Sequence, residues 1–496
     1  MRILPETSRT FGEYLLLPNL TDETCTPDQV DLSAPLVRHP VGQQSPIRIA
    51  TPMVSAIMGA VSSPRLAIAL AQVGGLSFLH QNQPIDEQAA MVATVKRHKA
   101  GFRHNDVNIK PSATLHEADL LINESRQDVI VVTDDGTPSG RFLGLITSRD
   151  YNFHRHQPND SVQSRMLPLA DLVTAPRGTS LEQANSLLWD SRQDVLPVLD
   201  TTGQLTALVQ RRDYELHEQF RTESVDDDKR FRVGAGINTR DYQDRIPALV
   251  EAGADVLCLD SSDGFSVWQQ RAVTFVRERY GDTVRIGAGN VVDARGFRYL
   301  ADAGADFVKV GIGGGSICIT RDQKGIGRGQ ATALAEIVPA RDAYAEKTDM
   351  YVPVCSDGGI IHDSHMAVAL AFGADFLMLG RYFARFDESP SPKVRGAGGQ
   401  ILKEYWGEGS ARARNAARYG QGDMVFEEGV DGYVNYSGAL ADSVKVTLTK
   451  LRSTMISCGS TSLRQFHETA VLEAVSQQTF VQNSEEVDRN DRPTVV

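Results

Sequence analysis

Residues 311–321 read GIGGGSICITR, a glycine-rich loop carrying Ser316, Cys318, Thr320 and Arg321. A cysteine is an intrinsically strong nucleophile, and glycines at a strand end can expose several backbone N–H groups to an anion, whether thiolate or phosphate. Cys318 is therefore the candidate nucleophile, Ser316 lies in reach of a phosphate on the same loop, and Thr320 is placed to orient a water near the sulfur. The same glycines would also serve a tight turn that needs positive φ. Two further phrases carry polar groups, SDGG at 356–359 and LGR at 379–381. A phosphate held by such loops, with Asp357 accepting from vicinal ribose hydroxyls beside it, suggests a nucleoside monophosphate. DSSDG sets Asp260, Ser261 and Ser262 on the opposite side of the mouth, where capping a helix is the alternative use. Cys258 and Cys355 sit inside apolar strands and read as structural.

The elements that must position these groups repeat a phrase. EAGADVLCLD, ADAGADFVKVGI and AFGADFLMLG each read as a helix end, a Gly-Ala turn and a buried strand. RFRVGAGI, RIGAGNV and VPVCSDGG complete six strands in the second half, and IRIATPMVSAI and GGLSFLH supply two before residue 81. Eight such strands predict an α/β protein, a (β/α)8 TIM barrel whose polar strand ends share one rim. A doubly wound open sheet is the alternative, but it gives those ends no common rim.

An insertion over about 104–222 carries its own repeat: SRQDVIVVTDDGTPSGRFLGLITSRDY at 125–151 is echoed by SRQDVLPVLDTTGQLTALVQRRDY at 191–214. The pair resembles a tandem of CBS modules (a Bateman domain), which in many proteins bind adenine or guanine nucleotides. Thr147 and Asp150 offer a ribose site in the first copy, whereas Gln210 stands at the matching place before Asp213 in the second. A purely structural or oligomer-forming pair is the competing reading. The expected division is 1–103 and 223–480 for the barrel, 104–222 for the pair, a long flap over about 385–435, and a polar tail over 481–496. The stretch after RYFARF loses strand periodicity and reads as a long glycine-rich loop.

Composition excludes several classes. Across 496 residues the net charge is -12, with no basic stripe to track a phosphate backbone, so nucleic acid is not expected as a partner. The five cysteines are scattered without CxxC spacing, which argues against a disulfide framework or a zinc site and fits a reducing, cytoplasmic setting. MRILPETSRTFGEYLLLPNL has no basic and apolar signal pattern, and no stretch is apolar enough to span a bilayer.

IGGGSICITR, DSSDG, CSDGGI and RYGQG, around a barrel interrupted by a CBS pair, resemble the IMP dehydrogenases over essentially the whole chain. The resemblance implies an NAD+-dependent oxidoreductase that converts IMP to XMP at the branch point of guanine nucleotide synthesis. It casts Cys318 as the nucleophile at purine C2, Thr320 as a water-positioning group, and Arg418 with Tyr419 as a flap that hydrolyses the thioimidate, Arg418 being the base. It implies Ser316, Gly359, Gly380, Arg381 and Tyr405 at the phosphate, Asp357 at the ribose, and Met58, Gly409 and Glu428 at the base. Asp260, Ser261, Ser262, Gly311 and Gly313 would face NAD+. Ala56 stands where the family often has serine. The carbonyls of Gly313, Gly315 and Cys318 resemble ligands of a potassium ion, with Gln482, Asn483 and Ser484 where the family has a Glu-Gly-Gly stretch. A homotetramer is implied, with an octamer through the CBS pair as its extension. Arg418 and Tyr419 argue against GMP reductase, which shares the barrel and the cysteine loop. Intact Cys318 and Thr320 argue against a nucleotide sensor that has lost activity.

Overall fold

The structure is a computed structural model that describes residues 1, 3–98, 102, 107–125, 127–211, 222–413, 426–476 and 479. Within it the chain forms two compact units, one of residues 1–96, 222–224 and 232–496 and one of residues 97–221 and 225–231.

The first unit is built on a closed parallel barrel of eight strands, β1 Met53–Ser55, β2 Leu76–Leu79, β3 Gly234–Ile237, β4 Val256–Leu259, β5 Arg285–Val291, β6 Phe307–Val310, β7 Val354–Asp357 and β8 Phe376–Leu379. All eight expected strands take their places in it. They are short, nearly continuous apolar runs because both faces are buried, as a parallel sheet under helices demands. The inside is filled by side chains from alternate strands. Phe78 of β2, Phe307 of β6 and Phe376 of β8 form a ring layer, with centroids 5.9 Å apart for the first pair and 5.4 Å for the second. Gly234 of β3 lies in register with Phe78, and Gly287 of β5 with Phe307. A Cβ on either glycine would run into those rings, so the large and small residues are matched level by level.

The Gly-Ala-Asp phrase is explained at the opposite end. Asp255, Asp306 and Asp375 each precede an even-numbered strand and accept the backbone N–H that opens the strand before it: Val233 at 2.8 Å, Ile286 at 2.6 Å and Val354 at 2.8 Å. Each carboxylate also holds a cation, Lys96 at 2.9 Å, Arg277 at 2.5 Å and Arg341 at 3.1 Å respectively. The repeat thus pins neighbouring strands together at the face away from the polar strand ends, where barrels invest in stability.

After Phe386 the structure departs from the expected loop. Lys393–Arg395, Ile401–Trp406 and Asp431–Asn435 pair as a three-stranded antiparallel sheet. Glycine and polar residues hid it, because one face is exposed and Lys403 is buried against the carbonyls of Phe386 and Ser389 at 2.6 and 2.8 Å.

The second unit shows the internal repeat as structure. Each copy has a helix, Leu115–Ser125 or Leu181–Ser191, followed by an antiparallel hairpin, Val129–Thr133 with Phe142–Thr147 or Val195–Leu199 with Leu205–Gln210. Both hairpins carry a register shift at the matching point, Val132/Thr133 and Val198/Leu199. Val129, Val131, Phe142 and Leu145 of one copy pack with Leu208 of the other. Asp213 lies outside the described residues.

Asp306, fully buried with Arg277, Arg38 and Arg285 around it, supplies a test. Asp306→Asn is expected to lower unfolding stability by ~3–5 kcal/mol, while Asp282→Asn, on a carboxylate 68% exposed in the same network, should cost no more than about 1 kcal/mol. Denaturant titration of both variants measures the difference.

Candidate active site

The C-terminal ends of the barrel strands surround a cavity of about 1140 Å³. Of the residues singled out in the sequence, Met58, Asp260, Ser261, Ser262, Gly311, Gly313, Gly315, Ser316, Cys318, Thr320, Asp357, Gly359, Gly380, Arg381, Tyr405, Gly409 and Glu428 all line it. Arg418, Tyr419, Gln482, Asn483 and Ser484 lie outside the described residues. Cys258 and Cys355 are fully buried in β4 and β7; burial pushes the Cys258 thiol up to about 12 and the Cys355 thiol up as well, so neither supplies a nucleophile at neutral pH.

Cys318 is fixed by its backbone. Residues 317–319 lie antiparallel to 428–430, with Ile319 N–H donating to the Glu428 carbonyl at 3.0 Å and Val430 N–H to Ile317 at 3.0 Å. On the other side, Gly359 N–H donates to the Gly314 carbonyl at 2.9 Å. Gly311 has φ of 140°, and a Cβ there would overlap the Asp357 carbonyl oxygen, so only glycine lets the loop leave β6 this close to β7. The thiol of Cys318 is 3.2 Å from the Thr320 hydroxyl, which in turn lies 3.5 Å from Glu428 Oε2. A nucleophile, a hydroxyl and a carboxylate therefore stand in line, an order that can hold a water beside the sulfur and receive a proton from it.

A buried cation joins two of the carboxylates that line the cavity. Lys309 of β6 is 1% exposed, and its ammonium lies 2.8 Å from Asp260 Oδ1 and 3.2 Å from Asp357 Oδ2. Burial alone would pull this lysine down, but Asp260 and Asp357 outweigh it and hold it well above the ordinary lysine range. Asn290 adds a hydrogen bond from Nδ2 to Asp357 Oδ2 at 2.9 Å. Asp357 Oδ1 has no hydrogen-bonding partner among the described residues, which suits an acceptor for a ligand hydroxyl.

At the third side, Gly380 precedes the short helix Arg381–Ala384, and the Tyr405 hydroxyl lies 3.9 Å from Met58 Sδ. Burial, then Asp357, pushes the Tyr405 phenol up, so it is a neutral hydrogen-bond donor.

Sequence reading passed over several groups here. Lys309 stands as a lone charge inside the apolar run FVKV, which was its available signal. Beyond the end of β2, Asn82 Nδ2 donates to the Ala413 carbonyl at 2.6 Å, within the stretch 385–435 expected to form the flap. Burial, then Arg245, holds His80 down at about 4. The side chain of Gln81 lines the cavity with neither amide atom paired among the described residues. Lys324 also lines it, one helical turn beyond Thr320.

Comparison with known proteins decides the family. The family model for the IMP dehydrogenase / GMP reductase domain matches residues 8–485. The chain belongs to this family. It is 53% identical over 480 residues to the inosine-5'-monophosphate dehydrogenase of Tritrichomonas foetus, covering 96% of this chain and 95% of that one. With the Escherichia coli K12 protein of the same name it shares 36% identity over 471 residues, 93% and 92% of the two chains. Among solved structures it resembles a cysteine-to-alanine variant of the GMP reductase of Trypanosoma brucei in complex with guanosine 5'-monophosphate, with a TM-score of 0.79, 28% identity, and 97% and 98% of the chains covered. The family model thus names two enzymes, and the chain shares its fold with a structure of the second.

The lysine bridge carries its own prediction. Lys309→Met leaves two carboxylates facing each other and should lower stability by ~3–5 kcal/mol. Adding Asp260→Asn removes one of them, so the double variant should recover part of that loss in a double-mutant cycle read by denaturant unfolding.

Proposed function

We propose that the protein oxidises IMP to XMP with NAD+, the branch step toward guanine nucleotides. The observation that carries this reading is the line Cys318, Thr320, Glu428 in the same cavity as Asp357 and Asp260. Supporting the oxidative direction is the 53% identity to an inosine-5'-monophosphate dehydrogenase, against 28% to a GMP reductase.

Purine C2 lies between two ring nitrogens and is electron-poor, so the Cys318 thiolate adds there and makes C2 tetrahedral. NAD+ supplies a hydride acceptor. Once the hydride has left C2, the purine remains bound to Cys318 as a thioimidate. Water then adds at C2 and the C–S bond breaks, returning the thiol and releasing XMP. Thr320 holds the attacking water, and Glu428 lies where it can take the proton through that hydroxyl or accept the purine N1–H. Arg418 and Tyr419 belong to the flap that closes over the site for hydrolysis, with Arg418 as base. Ser316, Gly359, Gly380, Arg381 and Tyr405 hold the phosphate, Asp357 the ribose, and Met58 and Gly409 the purine. Asp260, Ser261, Ser262, Gly311 and Gly313 form the wall for the dinucleotide.

Potassium fits the donor set. The carbonyls of Gly313 and Cys318 accept no hydrogen bond among the described residues, and that of Gly315 accepts one, from Cys318 N–H at 3.2 Å. Three neutral, hard oxygens on one loop suit a monovalent cation; they would hold it and stiffen the cysteine loop.

We further infer that the second unit is a CBS pair able to take a purine nucleotide, and that subunits assemble as a homotetramer, with an octamer through these pairs. Thr147 and Asp150 are bonded to each other, the Thr147 N–H and hydroxyl both donating to Asp150 Oδ2 at 2.6 and 2.8 Å, so a ribose would compete for that carboxylate. No helix among the described residues is long and apolar enough to cross a membrane.

Two outcomes are expected in solution. IMP with NAD+ gives steady NADH formation that falls roughly a thousandfold or more in Cys318→Ala, while GMP with NADPH gives no NADPH consumption; the reverse pattern makes the protein a reductase. Replacing potassium by lithium slows IMP turnover without unfolding the protein, as circular dichroism under both conditions shows.

A further inference from the structure

Gly329 stands at the start of the 19-residue helix Gln330–Thr348, and a glycine has no side chain with which to cap it. The first N–H groups of a helix need partners from outside the helix, and here they come from the beginning of the sequence. Gly329 N–H donates to the Ser8 hydroxyl at 2.6 Å and Thr332 N–H to the Arg9 carbonyl at 3.4 Å, while Arg9 N–H donates back to the Thr332 hydroxyl at 2.7 Å. A Cβ at position 329 would lie 2.3 Å from the Arg9 carbonyl oxygen. Glycine therefore gives up capping the helix itself and lets residues 8 and 9 come close enough to do so.

The capped turn carries Gln330, which is buried and lines the cavity. Its Nε2 donates to the Val310 carbonyl at 2.6 Å and to the Ser356 hydroxyl at 3.1 Å, joining the ends of β6 and β7. A Cβ on Gly359 would lie 3.1 Å from Gln330 Cβ and 3.6 Å from the ring of Phe11. Residues 8–11 thus reach Gly359 twice, through the turn that bears Gln330 and through the fully buried Phe11. Gly359 in turn donates its N–H to Gly314 of the cysteine loop at 2.9 Å.

We propose that Ser8 and Arg9 are positioning residues: as a cap supplied from a distant part of the chain, they set the turn from which Gln330 supports Gly359, and so tune the affinity for the nucleoside monophosphate. Arg328 anchors the residue before the cap through the Val292 carbonyl and Glu336. A guanidinium only donates, however, so it cannot accept the N–H groups that Ser8 and Arg9 take.

This inference rests on the reading that a substrate phosphate lies at Gly359, and calorimetric titration of Cys318→Ala protein with IMP tests that reading first: no binding refutes it, and the exchange measurement below then decides the cap alone. In the Cys318→Ala background, Ser8→Ala and Thr332→Val should each weaken IMP binding by about fivefold, the fold-change of a lost cap of ordinary strength. Ser8→Asp, which keeps an acceptor at the helix start, should stay within about twofold of the parent. Affinity that holds in Ser8→Ala, or that Ser8→Asp fails to restore, overturns the proposal; so does a fall in unfolding midpoint without a fall in affinity, the mark of a purely structural cap. Amide hydrogen exchange of nucleotide-free protein gives a readout that needs no substrate. Faster exchange in Ser8→Ala at both 329–333 and 357–360 supports the proposal, and exchange unchanged at 357–360 contradicts it whatever happens at the helix.

Discussion

A single buried ammonium organises the mouth of the barrel. Lys309 rises from the middle of an apolar strand and lies between Asp260 at the end of β4 and Asp357 at the end of β7. Burying one cation and two carboxylates is costly, and their mutual attraction offsets that cost only when the geometry is tight and further hydrogen bonds help. Asn290 supplies such a bond. The same two carboxylates line the cavity, so what ties the strand ends together also fixes where these acceptors stand.

Cys318 is placed by backbone rather than by side chains. Residues 317–319 are laced to 428–430, and Gly314 of the same loop accepts from Gly359 N–H, so the sulfur position depends on segments distant in the sequence. The segments bordering 414–425 are anchored too. Arg412 pairs with Glu404 at 2.6 Å and stacks over Trp406 at 4.0 Å, and Ala413 receives Asn82. The chain leading into 414–425 is thereby held to the end of β2 and to the antiparallel sheet.

The barrel was legible because most of the buried strands are nearly continuous apolar runs, several behind a Gly-Ala turn, and the polar residues that follow cluster on one rim. Cys318, Thr320, Asp357 and Asp260 could be picked out for the same reason: they sit where apolar pattern gives way to glycine. Other features had no local signature. Asp255, Asp306 and Asp375 were visible as a repeat, but their work at the far face depends on Lys96, Arg277 and Arg341 from distant helices. The sheet of 393–395, 401–406 and 431–435 was masked by glycines and by a lysine on its buried side. Lys324 looked like any basic residue at a helix end, and only the fold brings Glu428 and Asp263 to it.

The central claim is that Cys318 carries the purine between two half-reactions. Acid quench of the protein with IMP and NAD+ during turnover, followed by mass spectrometry of the peptide spanning residues 311–321, tests it most directly. The account predicts that peptide with an oxidised IMP attached at Cys318, present only when NAD+ is included and absent in Cys318→Ala. Continuing NADH formation with the peptide unmodified at every quench time would contradict it.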